Sequence, residues 1–208
     1  LGTTNSCVAV MEGGKPKVIE NAEGMRYSPS IISVNEDGTE VVSVVAKRIA
    51  VQNAKNSFYA TKYFFGHKYS DPFIQNLIKR FKFNIVKGDN DEIFFQTEQG
   101  VLYTPSKVTS LYLKYVKDQA DAFVGKPVKK IVMSLPKYIP EEGKEEIKQS
   151  VKEAGLDVIT FIDESVSAAL GYGIDKNENI KNAIVFNMGG TSFSLTKISR
   201  RTEIKEGE

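Results

Sequence analysis

Two short segments of the chain carry glycines and hydroxyls in an arrangement suited to a phosphate group. Leu1-Gly2-Thr3-Thr4-Asn5-Ser6 is a turn entering a β-rich run, and Phe186-Asn187-Met188-Gly189-Gly190-Thr191-Ser192-Phe193 repeats the design near the other end. Glycine lets backbone N–H groups approach an anion, and flanking hydroxyls add donors. Taken singly, either segment reads as a plain hairpin turn. Two of them, separated by a helical half, imply a phosphate chain gripped from both sides. No Gly-x-x-x-x-Gly-Lys loop offers a rival site.

Composition narrows the chemistry further. The 208 residues suffice for one large domain or two small lobes with a real core. Charged residues make up 26% and the hydrophobic set 41%, ordinary for a globular protein. The balance of 28 basic and 26 acidic residues, a net +2, argues against a nucleic-acid footprint. The local basic cluster Lys79-Arg80-Phe81-Lys82 reads as a solvated helix face. One cysteine, Cys7, excludes an internal disulfide and a Cys-rich metal site. One histidine, His67, excludes His-pair metal sites, and its polar neighbours suggest a surface position. No apolar run is long enough to cross a bilayer, and no cleavable secretory signal opens the chain. The start at Leu1, without Met, suggests a missing or processed beginning.

The positioning elements follow from periodicity. Ser6 to Met11 and Lys17 to Glu20 flank Gly13-Gly14 as a hairpin, and Ile31 to Val34 pairs with Val41 to Val44 around Asp37-Gly38. A third hairpin joins Ile93-Phe94-Phe95 to Val101-Leu102-Tyr103. Phe73, Ile74, Leu77, Ile78 and Phe81 have the spacing of an amphipathic helix over 71–81. Thr104-Pro105 caps a longer helix whose stripe is Val108, Leu111, Tyr112, Tyr115, Val116 and Phe123, ending at Gly125. Pro140-Glu141-Glu142 opens another, with Ile147, Val151 and Ala154 inward and Gly155 at its end. Strand runs at Lys130 to Leu135, Val158 to Ile162 and Ala183 to Phe186 alternate with these helices, which implies an α/β sheet. The hairpins of the first half make it mixed. Asp175 to Asn179 is the polar joint where a boundary is expected.

The chain resembles the DnaK-like seventy-kilodalton heat-shock chaperones of bacterial and mitochondrial type. The resemblance is carried by the opening run Gly2-Thr3-Thr4-Asn5-Ser6-Cys7-Val8-Ala9-Val10 on to Asn21-Ala22-Glu23-Gly24, and by Ala46-Lys47-Arg48. It continues through Lys62 with Phe65-Gly66, Val86-Lys87-Gly88-Asp89-Asn90, Ile162-Asp163-Glu164, Ala168 to Gly173 and Gly189-Gly190. It is collinear over about residues 1 to 199. Arg200 to Glu208 match nothing in it and read as a linker or tail.

The resemblance implies an α/β fold of the actin-like (ribonuclease-H-like) ATPase kind, with two lobes closing over ATP or ADP, Mg2+ and K+. Residues 1–180 would form most of the first lobe, about 31–104 its outer subdomain, and 181–208 the beginning of the second lobe and tail. Thr3 and Thr4 match phosphate-contacting hydroxyls, with Gly2 and Asn5 in the same turn and Gly189, Gly190, Thr191 and Ser192 in the facing loop. Lys62 matches the lysine that holds the γ-phosphate and attacking water, a point charge suited to developing negative charge. Glu164 matches the glutamate near the metal-bound water, a positioning group or proton acceptor. Read without the resemblance, Lys62 is a solvated lysine and Glu164 a helix-start acid favoured by the dipole. Pro136 and Lys144 fall where the family relays the nucleotide state.

The departures weigh more than the matches. Asn187 stands where the family has an aspartate, and an amide neither takes a proton at neutral pH nor balances magnesium's charge. Thr191 replaces a glycine, Ser192 a threonine, Ser194 an aspartate, Tyr63 an arginine and Ser165 a proline. The family's first-strand aspartate would precede Leu1. Losing one positioned acid or base costs about 10²–10⁴-fold in rate, so weak hydrolysis is expected.

Three functions remain open. One is a heat-shock chaperone ATPase, acting in stress response and protein folding. The second is a non-hydrolysing module that docks partners or regulates, favoured by Asn187 and Ser194. A sugar kinase on the same fold ranks last, because the pattern from Ala46 to Asn90 looks like a chaperone's. Whether the chain is an enzyme is left open by the same residues. The resemblance implies J-domain co-chaperones and nucleotide-exchange factors as partners, and unfolded polypeptide through a domain not in this sequence. No nucleic-acid or membrane partner is expected. ATP binding by these 208 residues alone is expected to be weak or absent. A mitochondrial or other organelle matrix, or a bacterial cytoplasm, is the expected compartment, and secretion is not.

Overall fold

In a computed structural model, which describes residues 1–190 and 192–199, the chain is a mixed α/β protein of small sheets and five helices among the described residues. The first half is built from local pairings. β1 (Asn5–Ser6) is followed by the hairpin of β2 (Ala9–Glu12) and β3 (Lys15–Val18), and β4 (Ser28–Pro29) returns antiparallel to β1. β5 (Ile31–Val34) is the centre of a three-stranded sheet between β6 (Glu40–Val42) and, after α1 (Ser43–Ile49), β7 (Ser57–Tyr59). The expected second strand over Val41 to Val44 therefore stops at Val42, and Ser43 and Val44 open a helix instead.

α2 (Pro72–Ile78) is shorter than the apolar spacing suggests. Past Ile78 the bonds tighten to the i→i−3 type, Arg80 N to Leu77 O and Phe81 N to Ile78 O, which ends the helix. The basic cluster is thus not a helix face. β8 (Asn84–Lys87), β9 (Ile93–Gln96) and β10 (Leu102–Tyr103) form the second three-stranded sheet, all antiparallel.

α3 (Pro105–Val124) has the caps its sequence announces. Thr104 Oγ1 accepts from Lys107 N at 3.0 Å, and Gly125 closes the end in the left-handed conformation. Its apolar surface faces two ways. Val108 and Tyr112 enter one core, while Leu113, which the predicted stripe omits, enters another. Phe123, placed on that stripe by its spacing, is exposed instead, under the Lys17 ammonium. Of the two cores, the first is aromatic: Phe58, Phe83 and Phe95 contact one another with centroids 5.0–5.6 Å apart, and Phe64 joins Phe95 at 5.0 Å.

The second half begins with β11 (Lys130–Leu135), α4 (Glu141–Glu153) and β12 (Asp157–Asp163), a parallel pair with its crossover helix. Ile147 and Val151 of α4 are fully buried with Met133 and Leu135 in the second core. α5 (Glu164–Gly171) follows, then β13 (Asn182–Met188) and β14 (Phe193–Ser199). The strand-helix-strand-helix-strand order predicts one sheet, but β13 pairs with β14 along its whole length. That antiparallel ladder needs only a short loop to close, so its entropic cost is small. No helix among the described residues is long and apolar enough to cross a membrane.

Phe58→Ala should cost about 3–5 kcal/mol of stability in urea unfolding, because a ring touching three others leaves a cavity. Val51→Ala, at a side chain 88% exposed, should stay within about 0.5 kcal/mol.

Candidate functional site

Lys62 sits in a 3₁₀ turn, Thr61–Tyr63, entered through Ala60 at φ +60°. A non-glycine residue in that conformation is strained by about 1–2 kcal/mol, so its surroundings must hold it there. Three contacts do so. The Thr109 hydroxyl of α3 donates to Thr61 Oγ1 at 2.7 Å. Phe64 and Phe65, each 1% exposed, are fixed in different cores. Gly66 presses on the start of α4, where a methyl group on it would lie 2.9 Å from Gly143 N.

The turn so held aims Lys62 inward. Its side chain is 4% exposed, and Nζ donates to Glu164 Oε1 at 2.9 Å, across 102 residues of chain. Glu164 is the first residue of α5, placed there by the Asp163 cap, whose Oδ1 accepts from Ser165 N and Val166 N. The other Glu164 oxygen, Oε2, accepts from Asn187 Nδ2 at 3.4 Å. Asn187 and Ser194 are directly opposed in the β13–β14 ladder and share the inward face. On that face Thr196 Oγ1 donates to Ser165 Oγ at 3.0 Å, which ties the hairpin to α5. Ser165 is buried, so the residue standing where a proline was expected has a structural task.

The two glycine-hydroxyl segments meet. A Cβ on Gly190 would lie 2.1 Å from Thr4 Oγ1, so only glycine permits this approach. Gly189 N donates to Ser192 O at 2.8 Å, closing the loop, and Gly2 N donates to Ser6 Oγ at 2.9 Å. Thr3 is buried, while Thr4 and Asn5 are exposed, with Asn5 paired to Pro29 in the β1–β4 ladder. Thr191 lies outside the described residues, as does the tail 200–208. Beside the junction opens a cleft of about 550 Å³ whose walls include Thr3, Thr4, Gly190, Lys47, Tyr63 and Arg80.

Pro136 ends β11, and Lys144 pairs with Glu141 one turn earlier on α4. His67, expected in a polar surface setting, is only one-third exposed; it bonds Asp71 at 3.0 Å and lies against the Phe73 ring.

Three site residues escaped the sequence reasoning. Tyr138 has its hydroxyl pushed up to about 12 by partial burial and by Tyr63 and Glu164, against hydrogen bonding toward Ser192 and Thr3. It therefore stays neutral beside Ser192 and Thr3. Its signal was topological: it follows the carboxyl end of β11, as Glu164 follows that of β12, where ligands of parallel sheets bind. Arg80, read as part of a solvated face, and Lys47, noted only in the Ala46-Lys47-Arg48 segment, both line the cleft.

A family model described as Hsp70 protein matches residues 1–205. The chain belongs to the Hsp70 family. Hsp70 proteins bind ATP and ADP together with Mg2+, and work with J-domain proteins and nucleotide-exchange factors. The phosphate part of such a ligand suits the junction, where glycines and hydroxyls of the two segments meet beside the cleft. The cation fits less well. Magnesium is held in proteins by one or two carboxylates plus phosphate oxygens, and the one carboxylate of this cluster already faces Lys62 and Asn187. No group of three or more metal-ligating acids, histidines or cysteines occurs among the described residues.

Lys62→Met should destabilise the protein by about 3 kcal/mol in urea unfolding. That is the low end for breaking a buried pair, because Glu164 is 23% exposed and partly hydrated. The Lys62→Met/Glu164→Gln double variant should recover part of the loss. Strict additivity of the two single effects would show the pair to be uncoupled.

Proposed function

We propose that the chain grips the phosphates of ATP or ADP between the Gly2-Thr3-Thr4 turn and the Gly189–Gly190 loop, as the nucleotide-binding part of a protein-folding chaperone with impaired hydrolysis. The approach of Gly190 to Thr4 carries this reading, because it brings two anion-suited segments, 186 residues apart, to one point beside a cleft. Thr3, Thr4, Asn5, Gly190 and Ser192 supply N–H and hydroxyl donors, Gly2 and Gly189 shape the two turns with their own N–H groups bonded internally, and Thr191 continues the loop by sequence. An ammonium has three N–H donors, so Lys62 can keep its bond to Glu164 and still reach a terminal phosphate oxygen. Glu164, with further lone pairs on its carboxylate, orients the attacking water.

The impairment rests on Asn187. Its amide donates to Glu164 and cannot accept a proton, so the cluster has one carboxylate where two would share the work. This same contact favours the second reading, a module that holds nucleotide and docks or regulates partners without turning it over. The actin-like two-lobe arrangement, the bacterial or mitochondrial type and a matrix or bacterial cytoplasmic location belong to the proposal through resemblance. So do J-domain and exchange-factor partners, K+, and the relay through Pro136 and Lys144.

Single-turnover hydrolysis is the test. Asn187→Asp should raise the rate about 10²-fold or more, the usual worth of one positioned acid or base. A parent protein that already turns over at the variant's rate would remove the case for impairment.

A further inference from the structure

The cleft beside the Thr4–Gly190 junction is lined by Lys47 and Arg80 and by no carboxylate. Neither cation has an ion-pair partner among the described residues. The nearby acid, Glu164, is neutralised by Lys62, and Asp163 Oδ1 is engaged by two N–H groups of α5. The field in the cleft is therefore positive, and such a field favours the more negative of two related ligands.

The contact between Asn187 and Glu164 points the same way. Their side chains meet at 3.4 Å. Two carboxylates at that distance repel, and a cation between them is the usual remedy. An amide facing a carboxylate needs none, since its N–H₂ supplies the positive end itself. Ser194, across the ladder from Asn187, adds a neutral hydroxyl where an acid would add charge. Lys62, Asn187 and the cleft cations together do the neutralising that a divalent ion would otherwise do.

We propose, resting on the nucleotide reading above, that this site takes the phosphate chain as the free polyanion, without a divalent cation. A bound divalent ion cancels part of the ligand's charge, and among the described residues the cluster's carboxylate, Glu164, already has Lys62 on one oxygen and Asn187 on the other. Metal-free nucleotide suits both the cleft's charge and its donor set.

The 208-residue chain, ¹⁵N-labelled, would be titrated with ATP at millimolar concentrations, once in EDTA and once with excess Mg2+. The amide shifts of Gly2, Thr4 and Gly190 are the readout. Affinity in EDTA should equal that in Mg2+ or exceed it, by up to about tenfold given the two exposed cations. Asn187→Asp should reverse the order and bring selective broadening near β13 on adding Mn2+, which the parent lacks. Ser194→Asp, on the opposite strand, serves the same purpose if the first variant fails to fold. A parent affinity that falls about tenfold or more when Mg2+ is removed overturns the metal-free inference and leaves the nucleotide reading standing. No shift at these amides in either buffer overturns both.

Discussion

A lysine with 4% of its side chain exposed cannot remain charged without a partner, and this requirement organises the site. Glu164 must stand within hydrogen-bond reach of Lys62, which brings the start of α5 against the turn before Phe64. That turn is not free to move. Phe64 belongs to the aromatic core of the small sheets, and Phe65 to the core beneath β11 and α4. Two adjacent residues therefore join two hydrophobic clusters, and the lysine just before them inherits their rigidity. The strained Ala60 that precedes the turn is tolerated for the same reason.

From this anchor the remaining parts fall into place by topology. β11 and β12 run parallel, so their carboxyl ends open on one side, and the segments that follow carry Tyr138 and Glu164 to that side. The β13–β14 hairpin docks its polar inward row on α5 through Thr196 and Ser165. That docking aims Asn187 at Glu164 and swings the loop at its tip onto Thr4. None of these contacts is local in sequence. Each depends on a strand direction or a helix start that hydrophobic burial has already fixed.

Much of this was legible residue by residue. The caps of α3, the hairpins around Gly13-Gly14 and Asp37-Gly38, and the parallel pair with its crossover helix follow from turn chemistry and periodicity. The meeting of the two glycine loops was legible only as a pairing of like motifs, since no local signal gives a distance between residues 4 and 190. Where the reading failed, a neighbour's geometry decided. Ser43 and Val44 look like strand but lie past the sheet edge. Phe123 has the right spacing but extends beyond the core. Arg80 sits in a helix-like pattern whose hydrogen bonds have already tightened to i→i−3. Tyr138 carries no motif, and only the direction of β11 reveals it.

The polar groups around Glu164 share a physical logic. The Asn187 amide gives Glu164 a donor where a second carboxylate would repel it. Ser194, opposite Asn187, adds a neutral hydroxyl, and Lys62 neutralises Glu164. The Ser165 hydroxyl works from the structural side: it bonds Thr196 and holds the hairpin in the position where the Asn187 amide meets the glutamate. The cluster is a self-consistent set of neutral and paired groups.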